Sequence, residues 1–519
     1  MDRNRKVVIT AVFILALIGM AGLLLATRQG IGISPDSIVY IGAARNLADG
    51  AGLTVPFGSE PGVVNPMVSR APFYAILIAG SGLAGVDPLA GARWINAFLF
   101  GANILLVGFV SFYLTRGAVW TAVFAVFLLM TSLVMLTIHA YAWSEAVFVL
   151  LGFSGLFLLS RYLANGRFRW LLFAAVCIGL ANFTRYAGLP FIAAGGLGIL
   201  LFDKRPWLRR LVNAAVFGIL AALPLVLWFW RNARVGGSAA SRDLVFHPIS
   251  RAHIIQAVDT LAAWLLIPAG FPGLVKVGAI ALLAGLVLFI GWLARQQKQG
   301  HDSPDGPWYL ARLLALFILV YSAFLVLSIS FFDANTPLDD RILAPVFVAG
   351  IWLVVYNVQI LLNASHGRRL IAIGVTAVAL LFGALYLLNA ASWVRVSQGQ
   401  GLGFSNRVWQ DTEIEQAINQ LPADAVIYSN APGIVYILTE RPSTPLPKNT
   451  LAVTRQINSK YDQELAEVKI RLVDDNNYVV YFGGVGQAVS DREQAFVEQL
   501  SLQALTSVKE GTIYVYAPD

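Results

Sequence analysis

The chain has 519 residues, of which 57% are apolar and only 13% are charged, and its net charge is +8. Soluble globular domains are about 45–50% apolar and about 25% charged, so this composition excludes an ordinary water-soluble protein over most of the length. The basic residues lie in short clusters between apolar runs, which is typical of cytoplasmic loops and not of a nucleic-acid groove. The single cysteine, Cys177, excludes an intrachain disulfide framework and a cysteine metal site.

Apolar runs of membrane-spanning length recur along the chain. A spanning helix needs about 20 apolar residues, and residues 7–26 form the first such run, which we expect to be retained and not cleaved as a signal peptide. Residues 170–202 contain two shorter apolar stretches, which we expect to form a helical hairpin with Arg185 near its far end. The other predicted spans are 89–114, 117–138, 145–161, 211–230, 271–294, 309–331, 342–362 and 370–392. The basic loops then predict about eleven spans, a cytoplasmic N-terminus and an extracytoplasmic C-terminus.

A polar stretch after the first span, about 28–88, forms the predicted first outer loop. Ser34 suits a helix N-cap, Pro35 suits the first helical position, and Asp49-Gly50 suits the stop. The apolar residues Tyr40, Ile41, Ala44, Leu47 and Ala48 share one side of this helix. Such an amphipathic helix can lie flat at the outer membrane surface.

The composition changes after Trp393, and residues 393–519 contain no spanning run. Three short runs read as strands, at 425–430, 478–484 and 511–518, and two segments read as helices, at 458–473 and 490–500. Strands that alternate with helices predict a small α/β domain. We therefore expect a transmembrane catalytic domain over 1–392 and an extracytoplasmic α/β domain over 393–519.

Charged side chains on the predicted outer side are the candidates for chemistry. Three are acids, Asp36, Glu60 and Glu145, and four are bases, Arg70, Arg185, Arg231 and Arg341. An acid at the mouth of a spanning helix is costly unless it faces protein or a water-filled cavity. Arginine donates two parallel hydrogen bonds to phosphate oxygens. The set predicts a cavity that binds an anion, with or without a metal. The histidines His139, His247 and His253 show no ligand spacing and are expected to be polar interfacial residues.

Several local patterns, in this order, resemble the GT-C superfamily of membrane glycosyltransferases, which use polyprenyl-phosphate-linked sugars. They are PDSIVYIGAARNLADG after the first helix, RAPFYAILIAG at 70–80, YAWSEAVFVLLG at 141–152, ANFTRYAGLPF at 181–191, WFWRNARVGG at 228–237 and LDDRILAPVF at 338–347. The resemblance is greatest to the bacterial branch related to protein mannosyltransferases and lipid A aminoarabinose transferases. It implies an α-helical polytopic fold.

The resemblance also implies roles for individual residues. Asp36 matches the acid of the family's first loop, the catalytic base, and Glu145 matches a second acid that helps to hold the site or a divalent cation. A hard cation such as Mg²⁺ or Mn²⁺ would take oxygen ligands from these two acids. Arg70 lies in a segment that contacts the donor phosphate, and Arg341 resembles the arginine of an Arg-Tyr-x-x-Pro pattern. The implied reaction inverts the configuration of a sugar moved from a polyprenyl-phosphate donor to a glycan, lipid or protein acceptor.

Other functions stay open at this point. A lipid-linked glycan ligase or polymerase would also use outer loops and arginine-held phosphate, with a pyrophosphate donor. A transporter would tend to show repeat symmetry and broken helices at mid-membrane, and the sequence shows no repeat. A receptor acting through its C-terminal domain would leave the outer acids and arginines unexplained. The expected location is the bacterial cytoplasmic membrane, and no nucleic-acid partner is expected.

Overall fold

The computed structural model describes residues 3–59, 63–239, 244–297, 305–364, 368–451, 456–474, 476–483 and 491–517. The chain folds into two compact units. The first, which we name the helical unit, comprises residues 1–28 and 93–399, and the second, the α/β unit, comprises 29–92 and 400–519. Most of the first outer loop thus folds together with the C-terminal part of the chain.

The protein is mostly helical. In chain order the helices are α1 (Arg3–Ala26), α2 (Pro35–Ala48), α3 (Phe73–Leu83), α4 (Pro88–Leu114), α5 (Val119–Met130), α6 (Leu133–Ala140), α7 (Glu145–Asn165), α8 (Phe168–Thr184), α9 (Leu189–Phe202), α10 (Trp207–Val235), α11 (Arg251–Trp264), α12 (Gly273–Gln297), α13 (Gly306–Phe331), α14 (Asp340–Ala364), α15 (Arg368–Gln400), α16 (Glu413–Gln420), α17 (Pro432–Thr439), α18 (Tyr461–Leu472) and α19 (Asp491–Leu500). The strands are β1 (Thr54–Val55), β2 (Asn65–Pro66), β3 (Val426–Ser429), β4 (Thr444–Pro445), β5 (Asn477–Phe482), β6 (Leu502–Val508) and β7 (Gly511–Tyr516).

Eight helices in the described part of the chain are long and apolar enough to cross a membrane: α1, α4, α7, α10, α12, α13, α14 and α15. The pair α5 and α6 is bent by 54° and makes a ninth if it is one broken span. The predicted eleven spans are reached when the shorter α8 and α9 are also counted. The chain is therefore a multi-pass membrane protein. The predicted hairpin is confirmed, because α8 ends at Thr184 and α9 begins at Leu189.

An aromatic cluster joins four helices of the helical unit. Phe153 of α7 lies edge-on to Phe191 of α9, Phe317 of α13 and Trp352 of α14, at 5.1–5.5 Å between ring centres. All four side chains are buried. Edge-to-face aromatic pairs contribute about 0.5–1.5 kcal/mol beyond their buried area. The cluster fixes α7, α9 and α14 relative to one another. Helix α7 begins at Glu145, Arg185 lies in the turn that leads into α9, and Arg341 lies in the first turn of α14.

The α/β unit contains a five-stranded mixed sheet in the order β4-β3-β5-β7-β6. The three strands and two helices predicted in this part are confirmed. Strand β6 was not predicted, because it is an edge strand with few buried side chains and lacks a clear alternation. The sheet is covered on both faces, since the neighbours Val479 and Val480 of β5 enter different apolar clusters.

Helix α2 begins as predicted but packs differently. Ser34 caps it in a box with Ser37, and Pro35 is the first residue. Its apolar side is buried against protein, where Tyr40 meets Tyr74 of α3 edge-on with 5.3 Å between ring centres. The apolar side of this helix therefore faces protein and is not available to lipid. Its apolar periodicity reflects packing inside the α/β unit.

Arg45 joins α2 to two other parts of the α/β unit. Its guanidinium contacts Asp87 at 2.7 Å, Glu440 at 3.0 Å and the Tyr436 hydroxyl at 3.3 Å. Burial disfavours the charge on Arg45, but the hydrogen bonds to Asp87 and Tyr436 outweigh it and raise the pKa of the guanidinium. The first outer loop is also joined to the C-terminal part through backbone hydrogen bonds, such as Phe404 N to Ile33 O at 2.9 Å.

Candidate active site

Asp36 and Arg70 form an ion pair within the α/β unit. Asp36 lies in the first turn of α2, where the partial positive charge of the helix terminus favours an acid. Arg70 comes from the loop before α3 and donates to Asp36 Oδ1 from Nε at 3.0 Å and from Nη2 at 2.5 Å. The Asp36 side chain is 21% exposed and the Arg70 side chain is 35% exposed. The pair therefore holds the carboxylate in one orientation while leaving it accessible.

Glu145 is the centre of a second cluster, which lies in the helical unit. It is the first residue of α7, and its side chain is only 2% exposed. Its Oε1 accepts contacts from both Arg185 and Arg341. Its other oxygen, Oε2, is buried and has no hydrogen-bond partner among the described residues. A buried acceptor without a hydrogen bond is costly, so Oε2 can accept a hydrogen bond from a hydroxyl group or a water molecule.

Two guanidiniums share the carboxylate of Glu145. The two guanidiniums and one carboxylate in direct contact sum to one net positive charge. Two further acids lie beside Arg341 in the chain: Asp339 caps α14 by accepting from the Arg341 and Ile342 N–H groups, and Asp340 accepts from Trp264 Nε1 at 2.8 Å. Two partly buried guanidiniums held side by side can donate hydrogen bonds to an anion such as phosphate.

Two neighbours of Glu145 belong to the cluster and were not predicted individually. Trp143 stacks on Tyr141 and lies under the Arg341 guanidinium, 4.3 Å from its ring centre. Ser144 accepts a hydrogen bond from Arg185 at 3.3 Å. Both residues fall within the YAWSE pattern, so their adjacency to Glu145 was the available signal. An arginine held over an indole ring keeps its planar face oriented.

A buried polar network supports the turn that carries Glu145. Asn96 of α4 donates to the carbonyls of His139 and Tyr141 at 3.1 and 2.6 Å. Asn103, two turns further along α4, contacts His139 Nε2 at 3.0 Å and the Ala146 carbonyl at 2.9 Å. The expectation that His139 is an interfacial residue is wrong, because its side chain is fully buried. The network supplies donors to backbone carbonyls at the break between α6 and α7 and in the first turn of α7.

The remaining candidate residues have different settings. Arg231 lies near the end of α10, hydrogen-bonded to Asn232 at 3.1 Å and placed over the Trp228 ring. Glu60 lies outside the described residues. The structure thus brings together Asp36 with Arg70, and Glu145 with Arg185 and Arg341.

The arrangement does not fit the predicted divalent cation. The described residues contain no group of three or more His, Cys, Asp or Glu side chains that could hold a metal ion. Arg70 engages one oxygen of Asp36, and two guanidiniums engage one oxygen of Glu145. Hard cations need several oxygen ligands, whereas two adjacent positive charges would oppose a cation at Glu145.

No family model and no curated protein matches the sequence. Solved structures do match, at 13–14% identity. ArnT from Cupriavidus metallidurans bound to undecaprenyl phosphate matches with a TM-score of 0.58 and 14% identity over 98% of this chain and 99% of that one. The oligosaccharyltransferase AglB from Archaeoglobus fulgidus, in complex with an inhibitory peptide and a dolichol-phosphate, matches with a TM-score of 0.55 and 14% identity over 93% of this chain and 70% of that one.

The arabinofuranosyltransferase AftD from Mycobacteria matches with a TM-score of 0.51 and 13% identity over all of this chain but 40% of that one. A further structure of the Archaeoglobus enzyme, with a TM-score of 0.51, is a complex with Zn and sulfate. All of these proteins are GT-C glycosyltransferases. The chain therefore has the GT-C fold, as its sequence resemblance predicted.

Proposed function

We propose that this protein is an inverting glycosyltransferase that moves a sugar from a polyprenyl-phosphate donor to an acceptor hydroxyl. The observation that carries the proposal is the pair of arginines held side by side on the buried carboxylate of Glu145. Their N–H groups suit the phosphate of the donor. Undecaprenyl phosphate and dolichol-phosphate, held by the ArnT and AglB structures, support a donor of this class.

In this proposal Asp36 is the base. The acceptor oxygen attacks the anomeric carbon as Asp36 takes its proton, the new glycosidic bond forms, and the bond from that carbon to the phosphate oxygen breaks. Polyprenyl phosphate leaves with the bonding electron pair, and attack from the opposite side inverts the configuration. Asp36 then returns the proton to solvent.

The arginines then stabilise the leaving group. Arg185 and Arg341 balance the charge that develops on the phosphate, since preorganised donors are most effective where charge appears in the transition state. Arg70 contributes to phosphate binding while orienting Asp36, and Arg231 is a further candidate for the donor phosphate. Oε2 of Glu145 accepts a hydroxyl of the donor sugar.

We further propose that transfer takes place on the extracytoplasmic face of a bacterial cytoplasmic membrane. The N-terminus would be cytoplasmic and the α/β unit extracytoplasmic, because basic clusters such as 203–210 and 368–369 mark the cytoplasmic loops. Membrane lipids would surround the spans, and the acceptor would be a glycan, lipid or protein.

The test is the release of polyprenyl phosphate by the purified protein from a panel of polyprenyl-phosphate sugars. We expect Asp36→Asn to lower the rate at least 10²-fold, the lower range for losing a general base, with an unchanged melting temperature. Asp49→Asn, at the exposed far end of the same helix, is the matched control and should retain activity. Turnover by Asp36→Asn at the rate of the control would disprove the role of Asp36.

The same assay separates the alternatives. Transfer should persist in EDTA, because arginines and not a cation balance the phosphate. Loss in EDTA that Mg²⁺ or Mn²⁺ restores would show a metal-dependent reaction. Turnover of pyrophosphate-linked donors alone would identify a ligase or polymerase, and transport without sugar transfer would identify a transporter.

A further inference from the structure

A groove in the α/β unit lies between α18 and the edge of the sheet. Its volume is about 410 Å³, which is within the usual range of about 300–1,000 Å³ for small-molecule sites. Tyr428 and Val468 form a buried floor. Pro445 and Pro447 stiffen the opposite wall, because proline fixes its own backbone angle.

Polar groups line the groove in a regular way. Glu464, Glu467 and Arg471 lie three and four residues apart on α18, so they share one side of the helix. Lys448 faces them from the other wall. Asn458 donates to Glu464 Oε2 at 3.0 Å and thereby orients one carboxylate.

The charge balance of the lining selects among ligand classes. Among the lining residues in the described part of the chain, Glu464 and Glu467 offset Lys448 and Arg471, so their charges sum to zero. The two carboxylates would repel an anion, and the lysine and arginine would repel a cation. A neutral polyhydroxylated ligand satisfies both, because its hydroxyls donate to carboxylates and accept from cationic N–H groups.

The groove is continuous with the loop that carries Asp36. Gly58 and Ser59 of the first outer loop also line it. Gly58 N donates to the Ser443 carbonyl at 2.9 Å, and the Thr444 hydroxyl donates to the Ser59 carbonyl at 2.9 Å. A ligand in the groove would therefore contact the same folded segment as the proposed base.

From these observations we propose that the groove binds a neutral oligosaccharide, the non-reacting part of a glycan acceptor. This inference deepens the proposed function, and the identification of the ligand as the acceptor rests on that function. The binding itself does not depend on transfer. It assigns the acceptor to the glycans, in preference to a protein or a lipid.

The experiment measures binding without catalysis. Saturation-transfer-difference NMR is recorded on the full-length protein in detergent with neutral manno-, gluco-, galacto- and arabino-oligosaccharides. We expect at least one to bind, and its dissociation constant to rise at least tenfold in Glu464→Ala/Glu467→Ala. Asp462→Ala removes an exposed acid of the same helix outside the groove lining and should bind as the unchanged protein does. Melting temperatures confirm that all variants are folded.

Each outcome decides the proposal. No binding by any oligosaccharide, or binding that survives the double substitution, overturns it. Preferential binding of charged peptides, measured in parallel, overturns it in favour of a protein ligand. Loss of donor turnover in Asp36→Asn with intact oligosaccharide binding supports both proposals, whereas oligosaccharide binding without turnover of any donor overturns only the proposed transferase.

Discussion

Asp36 in the α/β unit and Glu145 in the helical unit are paired with guanidinium groups in different ways. Asp36 shares one arginine and remains partly exposed, whereas Glu145 is buried and shares one oxygen between two arginines. A partly exposed carboxylate can exchange a proton with a substrate. A buried carboxylate between two cations cannot easily do so, and in the proposed reaction it holds the cations in place.

Removal of the Glu145 charge therefore has a double effect. We expect Glu145→Gln to destabilise the protein by about 3–5 kcal/mol, the range for breaking a buried ion pair, and to abolish transfer. The double variant Glu145→Gln/Arg185→Gln should recover part of the stability, because it removes one uncompensated cation, but no activity. Melting curves of the single and double variants measure the coupling, with the exposed Glu498→Gln as the control. Additive losses would contradict the coupling.

At the scale of elements, the break between α6 and α7 is surrounded by buried polar side chains within an otherwise apolar helical unit. The carbonyls of His139 and Tyr141 lie at the turn between α6 and α7. Asn96 of α4 donates to both of them, and Asn103 donates to the Ala146 carbonyl in the first turn of α7. Helix α4 thus helps to fix the position of Glu145 at the start of α7.

Asn96→Leu tests this support. It leaves the His139 carbonyl without its asparagine donor, at a cost of about 1–3 kcal/mol for a buried unsatisfied group, and it removes one of the two donors to the Tyr141 carbonyl. We expect a lower melting temperature and a reduced kcat with little change in the KM for the donor. Asn4→Leu on the exposed side of α1 serves as the control. An unchanged kcat would show that Asn96 has no positioning role.

Helix α16 offers a test of pH dependence. Burial, with a smaller contribution from Asp411, raises the pKa of Glu415 above its ordinary value, although a backbone hydrogen bond from Thr412 opposes this. The folded state therefore favours the neutral acid, and this stabilising contribution is present below about pH 4.5 and is lost as the pH rises through the raised pKa. At pH 7 the ionised side chain weakens the fold.

Glu415→Gln should accordingly raise the melting temperature at pH 7 by about 1–2 °C, and the gain should vanish near pH 4. Glu413→Gln on the same turn reports the general effect of removing one acid. A gain of equal size at both pH values would show that titration of Glu415 is not its cause.

At the scale of the whole molecule, local patterns predicted much of the fold. Hydropathy located the spans, and capping residues located α2 to the residue. The partners could not be predicted, because Asp36 and Arg70 are 34 residues apart and Glu145 and Arg341 are 196 apart. Such pairings depend on packing between distant elements. The amphipathic pattern of α2 also could not distinguish a lipid surface from a protein surface.

The joining of the first outer loop to the C-terminal part predicts the effect of truncation. Without residues 401–519, Arg45 loses Glu440 and Tyr436, and α2 loses its contacts with α17. We expect limited trypsin digestion to cleave after Arg45 in the truncated protein but not in the full chain, as measured by mass spectrometry. Equal resistance in both proteins would show that the loop folds without its C-terminal partner. Fragments of α7 to α9 serve as the internal control.

The α/β unit is interrupted between Ala92 and Gln400 by most of the helical unit. During synthesis at about 5–20 residues per second, the segment with Asp36 must wait for tens of seconds until its partner strands leave the ribosome. The proposed base is therefore completed last, after the helices around Glu145 have been inserted.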